Sequence, residues 1–142
     1  MRLYKLTVKR EFVRESEAVV LTSAEAVFTM LAPIVEPLDR EQFFAVFLDG
    51  RNRVTGFEVI STGSLGASIV HPREAFKLAL LHNAAAVIFA HNHPSGDPSP
   101  SPEDVRITDR LRRAGETLGI PVLDHVVIGE GRWHSFADNG WS

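Results

Sequence analysis

The chain has 142 residues, 44% hydrophobic and 23% charged, which suits one compact domain burying roughly two-thirds of its unfolded surface and excludes disordered, collagenous and coiled-coil classes. It has no cysteine, which removes disulfide frameworks, iron–sulfur clusters, cysteine-ligated zinc and thiol nucleophiles, so any metal must be held by imidazole and carboxylate. With 15 basic against 18 acidic residues the net charge is -3, and nucleic-acid binding would need a local patch.

In chain order, the first fourteen residues alternate loosely and carry Arg2, Lys5, Lys9, Arg10 and Arg14, the pattern of an edge strand or a mildly basic arm. Such a strand would have a free edge, open to pairing with a second copy, though the oligomeric state is not readable from sequence. Residues 1–21 form this arm in the expected organisation, and residues 22–142 form the domain. Thr22 and Glu25 make a capping-box pattern ahead of Ala26, Val27, Met30 and Leu31, so a helix is expected over about 23 to 32, ended by Pro33 and Pro37. Phe43 to Leu48, the turn Asp49-Gly50-Arg51-Asn52 and Val54 to Ile60 read as a hairpin whose first strand is buried on both faces. A short strand is expected at Ala67 to Val70, then a helix from Pro72 to His82 and a central strand from Ala85 to Ala90. Ser101 as N-cap, Pro102 at the first helical position and Asp104 at the third open a helix on which Ile107, Leu111, Ala114 and Leu118 recur, closed by Gly119 and Pro121. Val122 to Ile128 and Trp133 to Phe136 suggest a last hairpin. The order predicts an α/β or α+β fold, a mixed β-sheet flanked by helices. The longest apolar run, Ala84 to Ala90, is far below the ~20 residues of a membrane helix, and the start lacks a signal peptide's apolar core, so a cytoplasmic protein with no membrane partner is expected.

Chemistry concentrates in the stretch from His91 to Asp104, which holds four of the eight prolines. Proline stiffens the unfolded chain and so lowers the entropic cost of holding a long loop in one shape. His91 and His93 are two apart in an extended segment and point to one side. Asp104 lies in the first turn of the following helix, where the helix dipole favours an ionised carboxylate. Two neutral imidazoles and a carboxylate, with a fourth position for water, are the ligand set of a catalytic zinc site. Each part has a plainer reading: two histidines can cap a strand or face water, and Asp104 can serve only as the third residue of a capping box with Ser101.

The spacing His91-x-His93, seven residues, Ser101, two residues, Asp104 resembles the JAMM (MPN+) metalloprotease motif H-x-H-x7-S-x2-D at every specified position. The texts HNHPSGDPSPSPED, LDREQFFAVFLDGRNR, VHPREAF and GIPVLDHVVIG are similar to the RadC-type JAB domain family, over about Thr22 to Ser135. The resemblance implies the JAB/MPN (cytidine-deaminase-like) fold. It also implies Zn2+ held by His91, His93 and Asp104, and a role for Ser101 in holding the reacting water or an oxyanion. An upstream glutamate serves the family as general acid/base; Glu41 is its best match here, with Glu58 and Glu74 as candidates. Zinc lowers the pKa of bound water toward ~7, and a carboxylate beside it takes the proton and returns it to the leaving amine, which is amide hydrolysis.

His125 is either a group orienting a ligand or a hydrogen-bonded core histidine. His71, His82 and His134 receive no role, and Arg106, Arg110, Arg112 and Arg113 read as a solvated helix side. Longer RadC relatives carry a helix-hairpin-helix DNA-binding extension, for which the residues before Thr22 are too few, so a short form is expected. The DNA-repair association belongs to the family's name. The expected function is a zinc-dependent peptidase or isopeptidase acting on a peptide or protein substrate. The alternatives are a non-catalytic module binding protein or DNA, and a metal-dependent nuclease, whose nucleic-acid partner the net charge does not favour.

Overall fold

The computed structural model describes residues 1–12, 17–63 and 70–142. Its elements run α1 (Ala24–Val35), β1 (Gln42–Leu48), β2 (Val54–Thr62), α2 (Pro72–Leu81), β3 (Ala86–Asn92), α3 (Pro102–Leu118), β4 (Val122–Ile128) and β5 (Trp133–Ser135). They form a five-stranded mixed sheet in the order β2-β1-β3-β4-β5, antiparallel except for the parallel pair β3 and β4. Helix α3 makes the crossover that a parallel pair requires.

Strands β1 and β3 are apolar along nearly their whole length because both faces of the sheet are covered. Phe44, Val46, Leu48, Ala86, Ile88 and Ala90 face the core built with α1. Phe43, Ala45, Phe47, Val87 and Phe89 face the core built with α2 and α3. This period-two sorting also decides the face of the histidines: His91 falls in step with Phe89 and Val87, on the α3 side. Helix α3 turns Asp104, Ile107, Thr108, Leu111 and Gly115 to that same side. Gly115 permits this approach, since a Cβ there would lie 2.5 Å from the carbonyl oxygen of Ile120.

The structure corrects several sequence expectations. Helix α1 is capped by Ser23, whose hydroxyl accepts from the Ala26 N–H at 3.1 Å, and not by Thr22. The chain stays extended through position 23 because Leu21 is buried and its N–H is tied to the Asn52 carbonyl at 2.9 Å. Pro33 does not end α1: it costs one backbone bond to the preceding turn, and the helix runs two residues on, with Val35 buried and the Glu36 N–H bonded to Ala32 at 2.9 Å. Strand β3 extends two residues past Ala90 because β1 and β4 pair with it as far as His91 and Asn92. Leu118, expected on the buried stripe of α3, is exposed, and Gly115 takes the packing position. Residues 1–12 are exposed and form no strand, consistent with an alternating segment that has no sheet partner; positions 13 and 14 of that stretch lie outside the described residues. Of the strand expected at Ala67 to Val70, only buried Val70 lies within them. No helix of the described residues is long and apolar enough to cross a membrane.

Candidate metal centre

The cluster forms where the C-terminal end of β3 meets the N-terminus of α3. Ser101 caps that helix with a complete capping box: its hydroxyl accepts from the Asp104 N–H at 3.1 Å, and its own N–H donates to Asp104 Oδ2 at 2.8 Å. The box fixes the carboxylate's orientation and leaves its outer face to the histidines. Asp104 Oδ1 lies 3.3 Å from His91 Nε2, Asp104 Oδ2 lies 3.3 Å from His93 Nε2, and the two Nε2 atoms are 3.1 Å apart.

These separations fit a metal. Zinc bonds of about 2.0–2.1 Å in a tetrahedron set neighbouring donor atoms about 3.3–3.4 Å apart. One donor atom from each of His91, His93 and Asp104 lies within 4.8 Å of the others, and the ligand types match what a cysteine-free chain can offer. Both imidazoles are anchored through their far nitrogens. His93 Nδ1 donates to the carbonyl of Asp97 at 2.8 Å, and His91 Nδ1 lies 2.7 Å from His125 Nε2, so each presents Nε2 to the cluster. The His91 ring is fully buried and stacks on Phe43, with centroids 6.0 Å apart at 16°.

Electrostatics follow from this crowding. Burial acts to raise the pKa of Asp104, but the imidazoles of His91 and His93 set against its two oxygens outweigh it and hold the carboxyl far below its ordinary range. The His93 pKa is raised, chiefly by its hydrogen bond with Asp104 and against the effect of burial. Complete burial and the neighbouring His91 push His125 well below the usual imidazole range, so it is neutral.

Glu41 reaches the cluster through sheet register. Phe43 pairs with His91, and two steps further along the antiparallel ladder Glu41 comes opposite His93, on the same face. Its Oε1 lies 3.7 Å from His93 Nε2. The other two candidate acids are engaged elsewhere: Glu58 faces His82 at 3.4 Å, and Glu74 pairs with Lys77 at 2.9 Å on the exposed side of α2. Asp39, Arg40, Glu41, Gly63, His93, Pro94 and Ser95 line an open cleft of about 440 Å³ beside the cluster.

Three contributors were invisible in the sequence pattern. Asn92 stands on the opposite parity from its histidine neighbours and clasps the chain on both sides of Glu41: its Oδ1 accepts from the Gln42 N–H at 2.8 Å, and its Nδ2 donates to the Arg40 carbonyl at 3.0 Å. Thr108 bonds His125 Nδ1 and the Asp104 carbonyl. Gly129 admits the loop that holds His93, because a Cβ there would lie 2.3 Å from the Gly96 carbonyl oxygen. An amide in an apolar strand and a threonine inside a helix are the only sequence signals for the first two. Of the remaining histidines, His71 occupies the N-cap position of α2, His82 stacks on Phe47, and His134 bonds the Ser142 carbonyl. On α3, Arg106 and Arg113 pair with Glu103 and Asp109, and Arg112 lies over the Trp141 ring.

The family description "RadC-like JAB domain" matches residues 21–141. The chain is 49% identical over 121 residues to a "UPF0758 protein" of Methanosarcina mazei, covering 85% of this chain and 53% of that one. It is 47% identical over 139 residues to a protein of the same name from Methanococcoides burtonii, covering 98% and 61%. A third, from Trichlorobacter lovleyi, is 53% identical over 119 residues, covering 84% and 52%. The chain thus spans about half the length of these curated relatives, and their names state no activity. With the family match running through both strands of the hairpin, the histidine strand and the capped helix, this chain belongs to the RadC-like JAB domain family.

Proposed function

We propose that the domain is a zinc-dependent hydrolase of amide or isopeptide bonds. The observation that carries this reading is the convergence of His91 Nε2 and His93 Nε2, 3.1 Å apart, on the Asp104 carboxylate, each 3.3 Å from one of its oxygens, with the Glu41 carboxylate on the cleft side. Zinc held by these three residues supplies Lewis acidity, polarising a carbonyl and lowering the pKa of water toward ~7.

The chain's own residues do the rest. Glu41 stands against the cleft and next to His93, where its carboxylate takes a proton from the attacking water and passes it to the departing nitrogen. Ser101 spends one lone pair on the Asp104 N–H and keeps its hydroxyl proton for an oxygen that becomes negatively charged during attack. Burial of Asp104 and His91 excludes water from the back of the site, so the charges of the cluster interact there in a lower dielectric than on the open cleft side. The open cleft suits an extended peptide or a side-chain-linked amide, and three of the four arginines of α3, Arg106, Arg112 and Arg113, are engaged by neighbouring side chains, which favours a peptide over a nucleic-acid substrate.

The test is elemental analysis of the purified protein combined with a cleavage screen of peptide, isopeptide and nucleic-acid substrates. One zinc per chain and amide cleavage that disappears in Glu41→Gln, with zinc retained, is the expected result. Normal turnover by Glu41→Gln, or nuclease activity in place of amide cleavage, refutes it.

A further inference from the structure

We infer that Thr108 and His125 form a positioning line for His91, a directed run of hydrogen bonds that starts at the side chain of one proposed metal ligand and ends on the backbone carbonyl of another. The line reads His91 Nδ1, His125 Nε2 at 2.7 Å, His125 Nδ1, Thr108 Oγ1, and from there the Asp104 carbonyl at 2.6 Å. His91, Thr108 and His125 are all buried, so no bulk water can supply a missing proton or lone pair.

The direction of the line follows from counting protons. A carbonyl only accepts, so the hydroxyl proton of Thr108 is committed to Asp104. Thr108 Oγ1 must then accept from His125, which places the His125 proton on Nδ1. His125 is completely buried with an imidazole on one ring nitrogen and a hydroxyl on the other, and no carboxylate on either, a setting that disfavours a charged ring; with its proton on Nδ1 its Nε2 is bare and can only accept, and the donor facing it is His91 Nδ1–H. His91 therefore keeps its Nε2 lone pair for the cluster. In the reverse direction Thr108 Oγ1 and the Asp104 carbonyl would set lone pair against lone pair at 2.6 Å, a contact that costs energy when buried.

The arrangement couples two ligands that are 13 residues apart in sequence, His91 and Asp104. The first turns of α3 set the Asp104 carboxylate through the capping box and, one turn later, set the imidazole tautomer of His91 through Thr108 and His125. His93 lacks such a line and is anchored locally by the Asp97 carbonyl, so the two histidines reach the same tautomer by separate routes. A partner on the far nitrogen of a metal-binding histidine fixes ring and tautomer, and its loss typically costs ~10–100-fold in metal affinity.

The inference rests on the proposed metal site, and its test separates the two. Nitrogen-15 imidazole spectra of the full chain, zinc-free and zinc-loaded, report the tautomer of each histidine, while zinc affinity is measured by chelator competition. His125 is expected with its proton on Nδ1 in both states. Thr108→Val is expected to release that preference and weaken zinc binding by ~10–100-fold, and Thr108→Ser to restore both. A His125 proton on Nε2 in the wild type overturns the line, as does Thr108→Val with unchanged tautomers and unchanged affinity. If Thr108→Val does not fold, the wild-type and Thr108→Ser spectra decide. Failure of the wild type to bind zinc refutes the metal reading instead, because the His125 tautomer is read in the zinc-free protein as well.

Discussion

Replacing Asn92 by alanine should separate Glu41 from the cluster without emptying it. The side chain supplies two hydrogen bonds, at 2.8 and 3.0 Å, to the backbone on either side of Glu41. Each is worth about 1 kcal/mol net, so their loss should destabilise the fold by about 2 kcal/mol. For a chain of this length that lowers Tm by about 8 °C, at about 4 °C per kcal/mol. Turnover should fall much further than stability, because a displacement of ~1 Å at a catalytic group costs ~10²-fold. The donors His91, His93 and Asp104 are anchored independently of Asn92, through His125, Asp97 and Ser101, so zinc stoichiometry should not change. The assays are calorimetry, elemental analysis and turnover of the substrate found in the cleavage screen. A variant with lowered Tm but wild-type kcat would refute the claim that the Asn92 clasp places Glu41.

Three other outcomes follow from the geometry. Asp104→Asn should lose zinc while keeping the capping box through its remaining carbonyl oxygen, and retention of stoichiometric metal would count against the ligand assignment. Gly129→Ala should displace the loop of Gly96 and Pro98, destabilising the fold by about 1–3 kcal/mol and loosening His93; an unchanged Tm and zinc affinity would contradict this. Asp49 accepts from the N–H groups of Arg53 and Arg51, which hold its pKa below the usual 3.8, so this turn's contribution is complete above that pH and fades as pH falls below it. A carboxyl resonance of Asp49 that titrates at or above 3.8 would contradict the sign.

The cluster of His91, His93 and Asp104 was largely legible in sequence because its signals are local. The strand run, the two-residue histidine spacing and the Ser101, Pro102 and Asp104 cap lie within one short stretch, and each obeys a short-range rule. The fold class was legible for the same reason, through periodicity and turn residues. Element boundaries were less so, since tertiary contacts moved them: Leu21 pulled the start of α1 to Ser23, and buried Val35 carried that helix past Pro33. The position of Glu41 required the β1 and β3 register, a pairing across about fifty residues that sequence periodicity does not set. Thr108 and His125 meet only because β4 lies parallel to β3 while α3 crosses over the same face, so neither residue carried a readable signal of its neighbour.

The most direct measurement is anomalous diffraction at the zinc absorption edge from crystals of the zinc-loaded protein. The account predicts one peak within bonding distance, about 2.0–2.2 Å, of His91 Nε2, His93 Nε2 and an Asp104 oxygen, with no protein atom as fourth ligand. A peak elsewhere, or a fourth position filled by a side chain of this domain, would contradict it.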